Sequence, residues 1–208
     1  MTERLVERTL RAFSDDLASS AAVPGGGSAA AYSGALGAAL TAMVGRIAER
    51  KEKSDVTTAL IAEADNLRAD FLRLVDDDSA AFATVSDAMK MPKVTDADKA
   101  ARKDRMQSAL LAASRVPLEI AKTSRRLLDL CERAMATAPS ATVSDIGVGA
   151  LMGEAALSGA ALNVMINLAS VTDAAQVKAL SEDLDRAIDG AEAQRKRITD
   201  YVESRIAR

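Results

Sequence analysis

Two aspartates, Asp78 and Asp145, are candidates for acid-base chemistry in this chain because of their positions in predicted helices. The sequence contains no histidine and one cysteine, Cys131. This composition excludes Ser-His-Asp and Cys-His nucleophilic systems, histidine-ligated metals and cysteine-rich zinc sites, so we expect no metal site. Acid-base chemistry must then depend on Asp, Glu, Lys, Tyr, the cysteine or the backbone. A single cysteine also favours a reducing location in the cytoplasm.

Asp78 interrupts an apolar seam on a long predicted helix. The seam has 4-3-4-3-4 spacing and consists of Phe71, Val75, Asp78, Phe82, Val85 and Met89. A carboxylate on a buried stripe must be paired, hydrogen-bonded or shifted in pKa, which makes Asp78 a functional candidate. The alternative is a structural aspartate that pairs with an arginine or caps a neighbouring helix.

Asp145 and Lys90 lie near predicted helix ends, where charged residues have structural roles of their own. Asp145 follows Ser144, a predicted N-cap, and a negative charge is favourable in the first turn of a helix. Lys90 lies at the end of the helix that carries Asp78, where a positive charge is stabilising. Capping and end stabilisation are therefore alternatives to catalysis by Asp145 and to substrate binding by Lys90.

Glycines and amides in two further predicted helices are candidate binding residues. The first group is a turn ahead of a helix and consists of Gly25, Gly26, Gly27 and Ser28. Its backbone N–H groups could bind an anion or an acceptor-rich ring, but the run is neither GxGxxG nor GxxxxGK[ST]. Asn163 and Asn167 lie one turn apart on one helix face. A simple chain turn and a hydrogen-bonded core pair are the structural alternatives, whereas a polar clamp for a heterocycle is the functional one.

The elements that position these residues are predicted to be helices, which gives an all-α fold. No stretch alternates with a period of two, and four prolines separate long helical patterns. The sequence predicts one domain over residues 1–208, a bundle of about six long helices, some of them kinked. Five of the predicted helices run from Thr2 to Ser19, from Gly27 or Ser28 to Arg50, from Ser54 to Lys90, from Ser144 to Ser170, and from Thr172 to Ile206. The remaining one is capped by Thr95 and ends before Pro139, and Pro117 is expected to kink or divide it.

Two of the predicted helices carry stripes of small residues, which predicts that they pack backbone to backbone. The stripes consist of Gly27, Ala30, Gly34, Gly37 and Thr41 in one helix, and of Gly149, Gly153, Ala156, Ala160, Asn163 and Asn167 in the other. Such stripes are consistent both with plain packing and with a ligand groove.

Charge and composition argue against nucleic acid and membrane partners. The net charge is −3 and aromatic residues make up 2% of the chain, whereas a nucleic-acid platform normally has a basic surface and stacking aromatics. Residues 17–45 carry no charge, but they are mostly Ala, Gly and Ser and include Pro24. Small residues contribute little free energy of transfer into a bilayer. We therefore expect a soluble cytoplasmic protein that binds neither nucleic acid nor a membrane.

Three groups of segments together resemble a known family. They are Pro24–Ala31 with Gly34–Leu40, Leu74–Asp78 with Ala81–Phe82 and Lys90–Pro92, and Ser144–Val148 with Gly159–Val164 and Ile166–Leu168. In order and spacing they resemble the cyclodeaminase/cyclohydrolase family of folate enzymes across nearly the whole chain.

The resemblance implies an all-helical homodimer that binds a tetrahydrofolate derivative in a cleft near the subunit interface and needs no cofactor besides this substrate. Family members either cyclodeaminate 5-formimino-tetrahydrofolate or hydrolyse 5,10-methenyl-tetrahydrofolate to 10-formyl-tetrahydrofolate. The chain has no room for a formiminotransferase domain, so the resemblance favours the stand-alone hydrolase of bacterial one-carbon metabolism, with the cyclodeaminase as the alternative. A non-catalytic helical scaffold that dimerises through its small-residue faces is an alternative from another class.

Under the hydrolase interpretation, Asp78 and Asp145 supply carboxylates that stabilise the amidinium cation of the substrate and accept a proton from water. The turn at residues 25–28 and the face of Asn163 and Asn167 hold the pterin, and Lys90 is a further binding residue. Which aspartate is the base stays open at this point.

Overall fold

The computed structural model describes residues 4–207, and over that range the chain forms α-helices and two short 3-10 turns without any strand. The all-α class is therefore confirmed. The helices are α1 (Leu10–Leu17), α2 (Gly26–Glu49), α3 (Asp55–Lys90), α4 (Asp96–Ala134), α5 (Val143–Leu168), α6 (Ala174–Ile188) and α7 (Ala191–Ile206), with 3-10 turns at Leu5–Glu7 and Ser140–Thr142.

The two longest helices begin where the sequence predicts. Ser54 caps α3 and Thr95 caps α4, each through a capping box in which two side chains and two backbone N–H groups satisfy each other. Pro117 lies inside α4 and does not divide it, because the helix continues to Ala134. The long α3 thus carries Asp78 in its interior, far from either end.

The first predicted helix is wrong over its first part. Residues 2 and 3 lie outside the described residues, and Leu5–Glu7 form a 3-10 turn. The α-helix begins only at Leu10, because the Thr9 hydroxyl accepts a hydrogen bond from the Ala12 N–H and caps the helix there.

Two caps in the second half of the chain are also wrong. Ser144 lies inside α5, which begins at Val143 after Thr142. The last predicted helix is two helices, because Gly190 adopts a left-handed conformation with φ of 68° between α6 and α7. Asp173, rather than Thr172, caps α6 by accepting hydrogen bonds from two backbone N–H groups.

The small-residue stripes of α2 and α5 pack against each other, as predicted. A Cβ on Gly37 would lie 2.8 Å from the carbonyl oxygen of Gly149, so the two backbones touch. The helices are antiparallel, since Gly26, at the start of α2, contacts Asn163 near the end of α5. This arrangement brings the glycine turn and the asparagines to one end of the bundle.

One helical stretch among the described residues, Ser140–Leu168, is long and apolar enough by composition to cross a membrane, with 39% of its most apolar window buried in the fold. A core helix of a soluble protein meets the same criterion. Here the buried Ala and Gly residues of the helix pack against α2 and α4.

Candidate functional site

Asp78 lies where α3 passes the first turn of α2, and a glycine makes room for it. A Cβ on Gly27 would lie 2.1 Å from Asp78 Oδ1, so any side chain at this position would collide with the carboxylate. The Ser28 hydroxyl lies 3.0 Å from Asp78 Oδ2 and 3.0 Å from the Val75 carbonyl oxygen. Gly27 and Ser28, which the sequence marks as binding residues, therefore both position Asp78.

The hydrogen bonds around Ser28 accommodate Asp78 in either protonation state. A hydroxyl carries one proton, so Ser28 donates to only one neighbour at a time: Asp78, Val75 or the Ser79 hydroxyl 3.1 Å away, which can also donate to Ser28. When Asp78 is ionised, Ser28 donates to it; when Asp78 is protonated, its own O–H donates to Ser28 Oγ and Ser28 donates to Val75. The carboxyl group of Asp78 thus keeps a hydrogen-bond partner whether it holds a proton or has released it.

Burial raises the pKa of Asp78 above its ordinary value of 3.8, and hydrogen bonds from the Ser28 hydroxyl and backbone amide offset part of the rise. The N-terminus of α2 points toward the same carboxylate and favours its charged form. A raised pKa makes the carboxylate a better proton acceptor than an ordinary surface aspartate. The prediction that Asp78 is shifted in pKa is therefore consistent with its surroundings, and no ion pair of Asp78 occurs among the described residues.

A cavity of about 230 Å³ opens above Asp78 between α2, α3, α4 and α5. The predicted binding residues Gly25, Gly26, Gly27, Asn163 and Asn167 all line it, together with Asp78. The cavity is smaller than the range of about 300–1,000 Å³ that encloses a whole drug-sized ligand. It is suited to the head group of a longer molecule.

The two asparagines are oriented by their own helix and by α4. Asn163 Nδ2 donates to the Gly159 carbonyl oxygen at 2.9 Å, and Asn167 Nδ2 donates to the Ala113 carbonyl oxygen at 2.9 Å. These bonds use the amide nitrogens and leave each side-chain oxygen to accept from a ligand. The cavity therefore offers two amide acceptors and one carboxylate, a set suited to a planar cation with several N–H donors.

Lys90 and Asp145 lie away from this cavity within one chain. Lys90 is twelve residues after Asp78 in the same helix, about 18 Å along its axis, and its ammonium lies 3.6 Å from the Asp87 carboxylate on an exposed surface. Asp145 is eighteen residues before Asn163 in α5, about 27 Å away. Their predicted roles in binding and catalysis stay predictions, and the pocket of a single chain does not include them.

A second cavity, of about 440 Å³, lies at the opposite end of the bundle, where α2 ends and α3 begins. Lys51, Glu52, Ser54 and Thr57 line it. None of the candidate site residues belongs to it, although its end of the bundle is the one that carries Asp145.

Five lining residues of the Asp78 cavity were not identified from the sequence, and two of them, Ala22 and Val23, precede the glycine turn. Phe82 and Ile166 form apolar walls, and Ala113 brings α4 into the site. Phe82 belongs to the predicted seam, but it is 36% exposed because it faces the cavity rather than the core. The spacing of the seam was the available signal for Phe82, whereas nothing distinguishes Ala113 from the other alanines of α4.

An exposed apolar stripe on α5 begins beside the cavity and runs the length of the helix. We call it the α5 stripe; it consists of Ser144, Val148, Leu151, Ala155, Ser158, Leu162, Met165 and Ala169, all exposed and at alternating spacings of four and three. Asn163 and Ile166 line both the cavity and a shallow apolar depression that includes Leu162 and Met165. The cavity is therefore continuous with an uncovered apolar surface.

Comparison with known proteins identifies the family. The family model for formiminotransferase-cyclodeaminase matches residues 9–186. The chain is 38% identical over 202 residues to a methenyltetrahydrofolate cyclohydrolase of Methylorubrum extorquens, covering 95% of this chain and 97% of that protein. It is also 35% identical over 209 residues to a formimidoyltransferase-cyclodeaminase of Sus scrofa, covering 99% of this chain and 39% of that protein. The chain thus spans about two fifths of the length of the porcine relative.

The fold has a counterpart among solved structures. The crystal structure of formiminotetrahydrofolate cyclodeaminase from Thermotoga maritima superposes with a TM-score of 0.85 and 23% identity, covering 95% of this chain and 97% of that one. The resemblance drawn from the glycine turn, the aspartate segment and the asparagine helix is confirmed. The chain belongs to the formiminotransferase-cyclodeaminase family.

Proposed function

We propose that the chain hydrolyses 5,10-methenyltetrahydrofolate to 10-formyltetrahydrofolate. The observation that carries this function is Asp78, a carboxylate with a raised pKa that a glycine admits to the floor of a cavity lined by two amides. The methenyl substrate is an amidinium cation, and a carboxylate without a protein cation beside it is a suitable counter-ion. Similarity over nearly the full length of the Methylorubrum cyclohydrolase supports the same activity.

Asp78 is the proposed base for the attack of water. The bound cation lowers the pKa of Asp78 and so favours the carboxylate, which is the form that accepts a proton. As the water oxygen bonds to the bridging carbon, its proton passes to Asp78, and the cation becomes a neutral hydroxylated adduct. The Ser28 hydroxyl supports the protonated acid afterwards by accepting its hydrogen bond.

Opening of the ring requires a proton at N5 and the loss of one from the adduct hydroxyl. The bond between the bridging carbon and N5 breaks as N5 takes a proton, and the C=O bond of the formyl group forms on N10 as the hydroxyl proton leaves. The overall reaction consumes one water and releases one proton. It changes no oxidation state, so it requires no redox cofactor, and the tetrahydrofolate derivative itself is the substrate.

The residues of the cavity have proposed roles in holding the pterin. The side-chain oxygens of Asn163 and Asn167 accept from its N–H groups, and the walls of Phe82 and Ile166 exclude water from the amidinium. The glycine turn places backbone close to the ring. The remaining part of the substrate extends out of the cavity, which alone is too small to enclose it.

A cyclodeaminase is the second candidate, because the porcine relative carries that name and matches the chain at 35% identity. In that reaction N10 attacks the carbon of the protonated formimino group of 5-formiminotetrahydrofolate, the N10 proton passes to the departing nitrogen, and ammonia leaves to give the methenyl cation. The same carboxylate would stabilise the same cation as product. The residues of the cavity suit both reactions.

We further propose that the protein is a soluble, cytoplasmic homodimer that binds neither membrane nor nucleic acid. The α5 stripe supports the dimer, because an uncharged apolar surface of this length is rarely left exposed on a monomer. Leu36 and Met43 of α2 are exposed apolar residues as well. Sedimentation at several protein concentrations tests the dimer directly.

The experiment that tests the function compares both substrates on the purified protein. Hydrolysis of the methenyl substrate is followed by absorbance beside the spontaneous rate, and ammonia release is measured with the formimino substrate. We expect a large acceleration of hydrolysis with little ammonia release. Ammonia release alone would favour the cyclodeaminase, and no acceleration of either reaction would favour the non-catalytic scaffold.

A further inference from the structure

The α5 stripe connects the Asp78 cavity at one end of the bundle with Asp145 at the other. Asp145 lies on the side of α5 that faces α2, four residues before Gly149, which contacts α2. Asn163 lies on the same side, since it contacts Gly26. Asp145 and the cavity thus lie along the same edge of the α5 stripe, but at opposite ends of the helix.

The α5 stripe shows the same pattern of side-chain sizes when it is followed from either end. Counted inward, its residues pair as Ser144 with Ala169, Val148 with Met165, Leu151 with Leu162, and Ala155 with Ser158. The small pair lies in the middle, where two crossing helices are nearest, and the large pairs lie where they diverge. When a two-fold axis packs a helix antiparallel against its own copy, each residue meets the residue at the same distance from the other end of the helix. Close packing along the whole contact then requires that the side-chain sizes be symmetric about the middle.

Charge favours the antiparallel arrangement of two such helices over the parallel one. The charged residues of α5 are Asp145 and Glu154, and the helix contains no basic residue. Parallel packing would place each acid beside its copy and align the two helix dipoles side by side. Antiparallel packing separates the two copies of Asp145 to opposite ends and sets each positive helix end beside a negative one.

We propose that a second copy of the chain packs its α5 antiparallel on the α5 stripe and brings the partner subunit's Asp145 to the mouth of the Asp78 cavity. In the pairing above, residue 145 of one chain lies opposite residue 168 of the other, next to Asn167 and Ile166. The two-fold axis is perpendicular to the paired helices. In both subunits, the face of α5 that packs on α2 therefore lies on the same side of the interface. The partner's Asp145 therefore faces the cavity rather than the outer surface.

This inference rests on the proposed function and supplies the proton that ring opening requires. In its acid form, a carboxyl group at the mouth of the cavity can act as the general acid for N5. The partner's Asp145 then donates its proton to N5 as the bond to the bridging carbon breaks. The carboxylate so formed takes the proton of the adduct hydroxyl as the formyl C=O forms, which balances the step.

Heterodimers with one defined chain of each kind test the arrangement. A dimer of an Asp78→Asn chain with an Asp145→Asn chain, isolated by two affinity tags, contains one cavity with both aspartates if they come from different subunits. We expect about half of the wild-type rate from it and almost none from either homodimer. A dimer of a wild-type chain with an Asp78→Asn/Asp145→Asn chain is the reciprocal control, and we expect it to be almost inactive.

The opposite pattern would overturn the inference. If Asp78 and Asp145 of one chain act together, the first heterodimer is inactive and the reciprocal one keeps half of the wild-type rate. An Asp145→Asn homodimer with the wild-type rate would overturn it as well. If wild-type protein accelerates neither folate reaction, the proposed function fails instead, and the geometry is decided by cross-linking.

Cross-linking reports the arrangement without any activity. Chains that carry Leu151→Cys or Leu162→Cys are mixed and treated with a short bismaleimide; both positions are exposed, and the native Cys131 is fully buried with its pKa raised to about 11. We expect covalent dimers only in the mixture, between position 151 of one chain and 162 of the other. Cross-links within each variant alone, or none because the chain is monomeric, would contradict the inference.

Discussion

At the scale of single residues, the site depends on a partly buried carboxylate that lowers the stability of the fold. Asp78 is partly removed from water, and burial is the largest influence on its pKa. A group whose pKa is raised on folding contributes stability below its unfolded pKa and loses that contribution as the pH rises through the folded pKa. The wild-type protein is therefore less stable at neutral pH than it would be with an uncharged group at position 78.

We expect Asp78→Asn to be at least as stable as wild type at neutral pH. Its free energy of unfolding, relative to wild type, should grow as the pH rises from the ordinary aspartate pKa of 3.8 through the raised value. Urea denaturation at a series of pH values measures this difference. A variant that is strongly destabilised at neutral pH would instead identify Asp78 as a structural residue.

The rate should depend on pH through the same group. We expect kcat/KM for hydrolysis to increase with pH up to the raised pKa of Asp78 and then level off, because the base must be ionised in the free enzyme. This rising limb should be absent from the residual activity of Asp78→Asn. A pH profile that is identical in both proteins would show that another group is the base.

Gly27→Ala should displace the carboxylate without removing it. The added Cβ would lie 2.1 Å from Asp78 Oδ1, so either the side chain or the start of α2 must move. We expect a loss of kcat on the order of 10²-fold, since misplacement of a catalytic group by about 1 Å has this effect. Steady-state kinetics on folded protein measures it, and a wild-type rate would show that the position of Asp78 does not matter.

At the residue scale, the sequence predicted Asp78 because a charge on an apolar seam is visible as an interruption of a pattern. It also marked the three glycines of the turn and both asparagines, which all line one cavity. It could not show that Gly27 is needed to admit Asp78, since that requires the distance between two helices. Nor could it show that Asp145 lies far from Asp78 within one chain.

At the scale of elements, the contact of α2 with α5 fixes the walls of the site. Their glycines let the two backbones approach, with Gly37 and Gly149 in contact. Because the helices are antiparallel, this contact also sets how far the start of α2 lies from the asparagines of α5. A substitution in the middle of this contact should therefore change the distance between the walls of the cavity.

Gly37→Ala should destabilise the protein, because its Cβ would lie 2.8 Å from a backbone oxygen that cannot rotate away. We expect a loss of about 1–3 kcal/mol, the usual cost of overpacking a core. Thermal and urea unfolding measure it. Gly25→Ala is the matched control for stability, since nothing lies within 4 Å of the added Cβ, and an equal loss in both variants would contradict the close contact at Gly37.

The elements themselves were predictable where capping residues and periodicity agree, as at Ser54 and Thr95. The errors arose where two cap candidates are adjacent, as with Thr172 and Asp173, or where a short helix follows an irregular segment, as with Thr9. Gly190 divides α6 from α7 by its left-handed backbone. Glycine in a helical pattern is compatible with both continuation and a break, so the sequence alone did not decide it.

At the scale of the whole molecule, the α5 stripe connects assembly with activity. The stripe is exposed, uncharged and continuous with the Asp78 cavity through Asn163 and Ile166. A second chain on this surface would cover the open side of the cavity and exclude water from it. Helical periodicity indicates which face of α5 packs on α2, but exposure of the opposite face becomes visible only in the fold.

Leu162→Glu should produce monomers, because it places a charge in the middle of one apolar half of the α5 stripe. Leu162 is 67% exposed in the single chain, so the variant should fold normally. We expect sedimentation at half the wild-type mass together with a loss of hydrolysis. Val94→Glu, at an 85% exposed position outside the α5 stripe, is the matched control and should remain dimeric; equal behaviour of the two variants would contradict the role of the stripe.

The central claim is that Asp78 acts on a cationic folate, and it is tested most directly by the hydrolysis rate of 5,10-methenyltetrahydrofolate with Asp78→Asn. The control is Asp77→Asn, the neighbouring aspartate, which is paired with Arg73 on an exposed part of α3. We expect kcat to fall on the order of 10²- to 10⁴-fold for Asp78→Asn, the usual contribution of a general base, and to stay at the wild-type value for Asp77→Asn. A folded Asp78→Asn protein that hydrolyses the substrate at the wild-type rate would contradict the claim.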